Sequence, residues 1–240
     1  MPKHVFFDLD NTLTKSRRPI DAVHTALFAD LCAKVDVIVV TGGTKVHIEE
    51  QLGPAKGNYF ILATSGNHCL HKNGEELWNE PLSKAQKQAC LDFIALLQAH
   101  FNVVVKDEND CIDDRSAQIG YSVIGYHEDP AKKDAFDPDF SRRKAALARF
   151  EDEMKKLNAA GIEVFPAGSS GFNFTPIGKD KGANVARLIE HEAWKKEERL
   201  YVGDALGPGE NDFSVVGIIA THAVKNPDET FAFIAKSLLS

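Results

Sequence analysis

The sequence predicts an α/β fold: a Rossmann-like core built on a parallel sheet, interrupted by an inserted α+β domain. Three observations carry that expectation. Short apolar runs alternate with helical periodicity at both ends of the 240-residue chain, the pattern of a parallel sheet covered on both faces. Several of those runs stop abruptly in acids, threonine or glycine. Between about residues 82 and 175 the order changes to helix-strand-strand-helix-strand-strand. The expected division is therefore a core of residues 1–81 and 176–240 around an insert of 82–175.

Taken in order, His4 to Asp10 reads as a strand that ends in acids. Ile20–Ala33 follows as a helix, with Val23, Leu27, Phe28 and Leu31 at helical spacing. Val35–Val40 is the next strand, ending at Thr41-Gly42-Gly43, and a helix from about Thr44 stops at Gly53-Pro54. Phe60–Ala63 is a short strand. His68–His71 and Glu76–Trp78 flank an Asn73-Gly74 pair, the signal of a hairpin turn. In the insert, Ser83 is placed to cap a helix running to about His100. Strands are expected over Phe101–Lys106, Gln118–Ile124, Ile162–Pro166 and Phe172–Thr175. One long helix is expected over Ser141–Ala159, closed by Gly161, with 129–139 an exposed loop. The α/β pattern resumes with a helix over Lys181–Glu190, a strand over Leu200–Asp204 and a short apolar segment over Phe213–Ile219.

Composition excludes several classes. With 28 basic and 35 acidic residues and 43% hydrophobics, the chain is an ordinary folded protein, not a disordered one. A net charge of −7 argues against broad electrostatic binding to nucleic acid. No apolar run approaches the ~20 residues of a membrane helix. The start, Met1-Pro2-Lys3-His4-Val5, lacks a signal peptide's apolar stretch, so the protein is read as cytoplasmic. Cys32, Cys69, Cys90 and Cys111 have no metal-site spacing and are read as free thiols.

The candidate chemistry sits where strands end, because ligands of open α/β sheets bind beyond the carboxyl ends of the strands. Asp8 and Asp10 follow the first strand; such a pair can divide attack and proton transfer between them. Asp204, Asn211 and Asp212 follow a late strand. Converging carboxylates repel unless a cation neutralises them, and Mg2+ prefers oxygen ligands. Thr41 or Thr44 could bind a phosphate oxygen, with Gly42 and Gly43 allowing close backbone approach. Lys181 could set a cation against a phosphoryl group. Each has an ordinary explanation alone: aspartates favour turns, threonines cap helices and lysines are solvated. The four signals fall in order along the chain, and that order carries the argument.

This combination resembles the haloacid dehalogenase (HAD) superfamily over essentially the whole chain, and the insert is similar to the type-C2 cap of subclass IIB. The resemblance implies Asp8 as nucleophile and Asp10 as acid/base. It gives Thr41 or Thr44 with Lys181 as the phosphoryl-holding groups. A Mg2+ site would be made by Asp8, Asp10, Asp204, Asn211 and Asp212, with the cap closing over the centre. Within the subclass, Phe6 to Thr14, Gly42 to Gly53 and Gly203 to Asp212 are similar to phosphomannomutases. So is the stretch Pro176 to Lys181. Arg17 matches a core substrate-binding arginine of that family and Arg115 a cap arginine. The cap departs from the pattern elsewhere. Tyr126 stands where the mutases carry a phosphate-gripping arginine, and Lys133 stands near a second, with Arg142 and Arg143 close by. Gly120 replaces an asparagine and Asn173 an aspartate. Losing an arginine removes a bidentate clamp. The expectation is accordingly a Mg2+-dependent phosphohydrolase of a small phosphorylated metabolite, probed against a phosphomannomutase alternative. The resemblance leaves open a homodimer through the cap.

Overall fold

Five buried residues, His4–Asp8, form β1, and both neighbours of that strand run parallel to it. The computed structural model describes every residue except Lys56 and Gly209. Gly209, within the Gly203 to Asp212 stretch, therefore lies outside the described residues. The chain divides into two units, Met1–Glu80 with Lys179–Ser240, and Pro81–Gly178. The second boundary falls later than 175/176 because the last insert strand runs through Pro176, which pairs with Ile162.

In the first unit, β1 leads to α1 (Ala22–Lys34), β2 (Asp36–Val40), α2 (Lys45–Leu52) and β3 (Phe60–Ala63). A hairpin of β4 (His68–Leu70) and β5 (Glu76–Asn79) follows, turning at Gly74 with φ +90°. In the inserted unit the order is α3 (Lys84–Phe101), β6 (Ile112–Asp114), β7 (Ile119–Ser122), α4 (Pro130–Phe136), α5 (Ser141–Arg149), α6 (Glu151–Ala159), β8 (Ile162–Ala167) and β9 (Gly171–Pro176). The first unit resumes with α7 (Lys181–His191), β10 (Arg199–Gly203), β11 (Ala220–Ala223) and α8 (Pro227–Phe233).

The sheet of the first unit has the described order β11-β10-β1-β2-β3-β4-β5. It is parallel from β11 to β3, with the hairpin added antiparallel at one edge. Strands buried on both faces read as unbroken apolar runs. One face packs Val5, Phe7, Val37 and Val39 against Phe28, Leu31 and Phe231. The other packs Phe6, Ile38, Val40 and Tyr201 against Val185 and Leu188 of α7. No described helix is long and apolar enough to cross a membrane.

The inserted unit is an antiparallel sheet, β6-β7-β9-β8, with its own core of Phe93, Ile94, Leu97, Tyr121, Phe172 and Phe174. Three expectations are corrected. Phe101–Lys106 forms no strand. α3 continues through Phe101 and stops at Asn102 in the left-handed region (φ 46°), after which Val104 is 98% exposed and unpaired. The long helix is two, broken at Phe150 (φ −104°, ψ 33°). The expected 129–139 loop contains α4, capped by Asp129 with Pro130 at its first position, a favourable helix start. The short apolar segment over Phe213–Ile219 takes the form of a single helical turn at Phe213–Val215 followed by a Val216–Ile219 bridge.

The cysteines are free thiols. Burial pushes Cys32, Cys69 and Cys90 up to about 12, so they behave as small core residues.

Candidate active site

Adjacent parallel strands β10, β1 and β2 end together, and their register brings Asp8, Asp204 and Thr41 to one edge of the sheet. Asp8 is the last residue of β1 and is 4% exposed. Asp204 follows Gly203 at the end of β10 and is half-buried. Asp212 arrives from the loop beyond β10 and is fully buried. Carboxylate oxygens of these three residues lie within 4.8 Å of one another.

One cation sits among them. Lys181 opens α7 and is 2% exposed, and its Nζ donates to Asp8 Oδ1 at 2.5 Å and to Asp212 Oδ1 at 2.7 Å. The Tyr201 hydroxyl also donates to Asp212 Oδ1, at 2.8 Å. Among the described residues, Asp212 Oδ2 is buried with no hydrogen-bond partner. Thr12 Oγ1 donates to Asp204 Oδ1 at 3.1 Å, tying the first acidic loop to the last.

The charges pull one another's pKa values. Burial raises the Asp8 carboxyl well above the usual range; Lys181 works against that and Asp212 adds to it. Asp204 is raised by burial and then by Asp212. For Lys181, burial disfavours the charge, but Asp212 and Asp8 outweigh it and hold the ammonium above its ordinary value. Burial, then Asp212, pushes Tyr201 well up, so its hydroxyl keeps its proton. Three carboxylates around one ammonium leave surplus negative charge, and the buried Asp212 Oδ2 accepts no donor among the described residues. That donor set, all hard oxygen, fits a divalent cation such as Mg2+. A bound cation would favour the ionised carboxylates, as Lys181 does.

Asp10 lies beyond Asp8 in a tight loop where the amides of Leu13 and Thr14 donate to Leu9 O. It is half-buried, and its Oδ1 accepts the backbone N–H of Arg17 at 2.8 Å. Arg17 itself is exposed and left-handed (φ 54°). The choice between threonines is informed by their hydrogen bonds. Thr44 caps α2, its hydroxyl accepting from His47 N while the His47 ring accepts from Thr44 N. Thr41 is 2% exposed, directly after β2, and its Oγ1 accepts the Gly43 amide at 3.1 Å. Gly42 and Gly43 form the half-buried turn between them. Asn211 is exposed.

A supporting network was not read from the sequence. The amides of Thr64 and Ser65 donate to Gly43 O and Thr41 O at 2.7 and 2.8 Å. Thr64 and Ser65 are both left-handed (φ 50° and 59°), a conformation that persists only where surroundings over-determine it. Asn184, one turn after Lys181 on α7, supplies the constraint: its Nδ2 donates to Ser65 O at 2.9 Å. A side chain on Gly66 would meet Asn184 Cβ at 2.4 Å. The available signal was the Thr64-Ser65-Gly66-Asn67 run after an apolar strand, a cluster of turn formers at a sheet edge. For Tyr201 the signal was one hydroxyl within the apolar run 200–202, two residues before Gly203.

In the inserted unit, four expected residues gather around β7. Arg115 is 9% exposed and its Nε donates to Asp113 Oδ2 at 2.7 Å. Its guanidinium approaches the Tyr126 hydroxyl at 3.5 Å. Lys133 Nζ donates to Tyr126 O at 2.9 Å. Asn173 on β9 pairs with Gly120 on β7. Gly120 has no side chain where the Tyr126 hydroxyl sits: a Cβ there would lie 2.1 Å from it.

A parallel α/β sheet whose carboxyl edge gathers three carboxylates, a threonine and a buried lysine is the frame of an enzyme working on charged groups. The chain belongs to the haloacid dehalogenase-like hydrolase family, whose model matches residues 5–226. It is 26% identical over 239 residues to phosphomannomutase 2 of Dictyostelium discoideum, covering 95% of this chain and 93% of that protein. It is 27% identical over 236 residues to the phosphomannomutase of Dendrobium officinale, covering 94% and 90%. Among solved structures, the N-terminally truncated IMP-nucleotidase of Plasmodium falciparum superposes with a TM-score of 0.69 at 16% identity, over all of this chain and 71% of that one. A haloacid dehalogenase-like hydrolase from B. subtilis gives 0.65 at 13% identity, over 98% and 99%. These two likenesses establish a shared fold.

Proposed function

We propose that this chain is a Mg2+-dependent phosphohydrolase of a small phosphorylated metabolite, a sugar phosphate, acting through an aspartyl-phosphate on Asp8. The observation that carries the reading is Lys181 bridging Asp8 and Asp212 with the Asp204 carboxylate in reach. Asp8, Asp204, Asp212 and the Asp10 backbone carbonyl would hold Mg2+, which when bound offsets negative charge on the carboxylates and the phosphoryl oxygens. Asp8 Oδ attacks phosphorus in line, forming the aspartyl–phosphorus bond as the bond to the leaving oxygen breaks. Asp10 gives its proton to that oxygen. It then takes a proton from water, whose oxygen attacks phosphorus and releases inorganic phosphate from Asp8. Thr41 and Lys181 stabilise the phosphoryl oxygens by fixed donors, which is where most of the rate enhancement of such transfers originates.

The phosphomannomutase alternative has the support of the curated relatives. A mutase must hold either phosphate of a bisphosphorylated intermediate, so it needs a second strong clamp. Hydrolysis is favoured by the inserted unit, where Tyr126 stands in place of an arginine and Arg115 is paired with Asp113.

The test is phosphate release from a panel of phosphometabolites and an aryl phosphate. Asp8→Asn should lower turnover by about 10⁶-fold, the scale of losing a nucleophile, with the fold intact by circular dichroism. Retained turnover in that variant would sink the nucleophile assignment. Conversion of mannose 1-phosphate to mannose 6-phosphate, dependent on a bisphosphate activator, would favour the mutase.

A further inference from the structure

We infer that Tyr201 is a positioning residue for the cation site: its hydroxyl claims Asp212 Oδ1 and leaves Oδ2 as the oxygen Asp212 offers to a divalent cation. The inference rests on the reading of Asp8, Asp204 and Asp212 as cation ligands.

Asp212 Oδ1 accepts two donors, Lys181 Nζ at 2.7 Å and the Tyr201 hydroxyl at 2.8 Å. Its Oδ2 is buried and accepts none from the described residues. A carboxylate has two equivalent oxygens, and Lys181 alone does not decide between them, because the ammonium also bonds Asp8. The tyrosine supplies the second direction that fixes the plane. Tyr201 is fully buried on β10 among Phe6, Ile38 and Val40, so its ring has one place to be. Phenylalanine would fill that apolar site equally well. The hydroxyl is what the packing does not require.

Gly203 makes the meeting of the two side chains possible. Tyr201 and Gly203 are two apart on a strand and so share a face. A Cβ on Gly203 would lie 2.5 Å from Asp212 Oδ2 and 2.9 Å from Tyr201 Cε1. The missing side chain leaves room for ring and carboxylate together. The three carboxylates lie within 4.8 Å of one another. Ligands on an octahedral Mg2+ at about 2.1 Å lie about 3.0 to 4.2 Å apart, so small movements complete the site. Groups that orient metal ligands are worth about 10- to 100-fold in affinity.

The experiment is calorimetric titration of the metal-free protein with Mg2+, comparing wild type with Tyr201→Phe. The expected result is a Kd about tenfold higher in the variant, with the far-ultraviolet circular dichroism of the metal-free protein unchanged. A Kd within twofold of wild type would overturn the inference. A crystal structure of the wild type grown with Mg2+ tests it without any variant: Oδ2 on the cation supports it and Oδ1 on the cation overturns it. If the wild type binds no Mg2+ saturably, the underlying site reading falls and this inference with it. Equal binding by both proteins removes only the role of Tyr201.

Discussion

Lys181 in the first unit and Arg143 in the inserted unit are both buried cations, and their surroundings differ in one respect. Arg143 is fully buried with one carboxylate, Asp137, bonded through Nε at 2.7 Å. Its other donors reach the carbonyls of Ala167, Gly168 and Gly171 at 3.1, 2.8 and 2.9 Å, and of Asp137 at 3.2 Å. Asp137 in turn accepts the amides of Arg142 and Arg143 at 3.0 and 3.1 Å. One positive charge meets one negative charge, and the surplus donors pin the β8–β9 turn. Lys181 instead faces two carboxylates, with a third nearby and an oxygen left unsatisfied. A balanced buried pair is a fastening. An unbalanced cluster gains stability when a further cation binds, and clusters of that kind mark candidate functional sites.

The largest test of that difference is to unbalance the fastening. Asp137→Ala leaves Arg143 buried without its counter-charge, and removing one partner of a buried pair costs about 3–5 kcal/mol. Urea unfolding should register that loss at neutral pH. Burial alone would raise the Asp137 carboxyl, but the Arg143 side chain and the amides of Arg142 and Arg143 outweigh it and hold it below its ordinary value. A group depressed in the folded state stabilises above its unfolded pKa, about 4 for aspartate, and that contribution is lost as pH falls through the lowered value. The gap between wild type and Asp137→Asn should therefore be full at pH 7 and shrink below about pH 4. A gap independent of pH would mean that the pair's charge contributes nothing.

The second test supplies the missing charge to the cluster. If the excess of carboxylates awaits a cation, Mg2+ at one hundred times its Kd should stabilise the fold by about 2.7 kcal/mol. Asp204→Asn should remove most of that gain while leaving the metal-free protein folded. Differential scanning calorimetry with and without Mg2+ reads both. Equal melting of wild type in the two conditions would break the contrast between fastening and site.

Much of this arrangement was legible in the sequence because the same residues that end strands carry charge. Apolar runs closed by Asp8, Thr41 and Asp204 announce a parallel sheet and its working edge together. The rest was hidden for identifiable reasons. Val103-Val104-Val105 has strand propensity, but a left-handed Asn102 and the lack of a pairing strand among the described residues override it. Phe150 breaks a helix within an unbroken amphipathic pattern, so periodicity passes over it. The Asp129-Pro130 start of α4 was present as a signal, but it sits in a stretch of mixed charge that reads as loop. Tyr201 and Asn184 act through a single polar atom each in an apolar neighbourhood. Nothing in one sequence separates such an atom from ordinary core polarity.

The smallest effect concerns the two threonines that the sequence left as alternatives, Thr41 and Thr44, three residues apart in the chain. Thr44 is engaged in a reciprocal cap with His47, the arrangement that satisfies two helix-end amides at once. Its replacement by alanine should cost about 1 kcal/mol of stability, and that change should appear in urea midpoints with little change in turnover. Thr41 is buried at the end of β2, its hydroxyl turned to the Gly43 amide and its carbonyl held by Ser65. Thr41→Ser keeps the hydroxyl and should keep activity, whereas Thr41→Val keeps the shape and should lower kcat by about 100-fold, the lower end of losing one stabilising donor. If Thr44→Ala proves the more damaging to turnover, the phosphate contact belongs to the helix cap, and the cap's hydrogen bonds must rearrange when substrate binds.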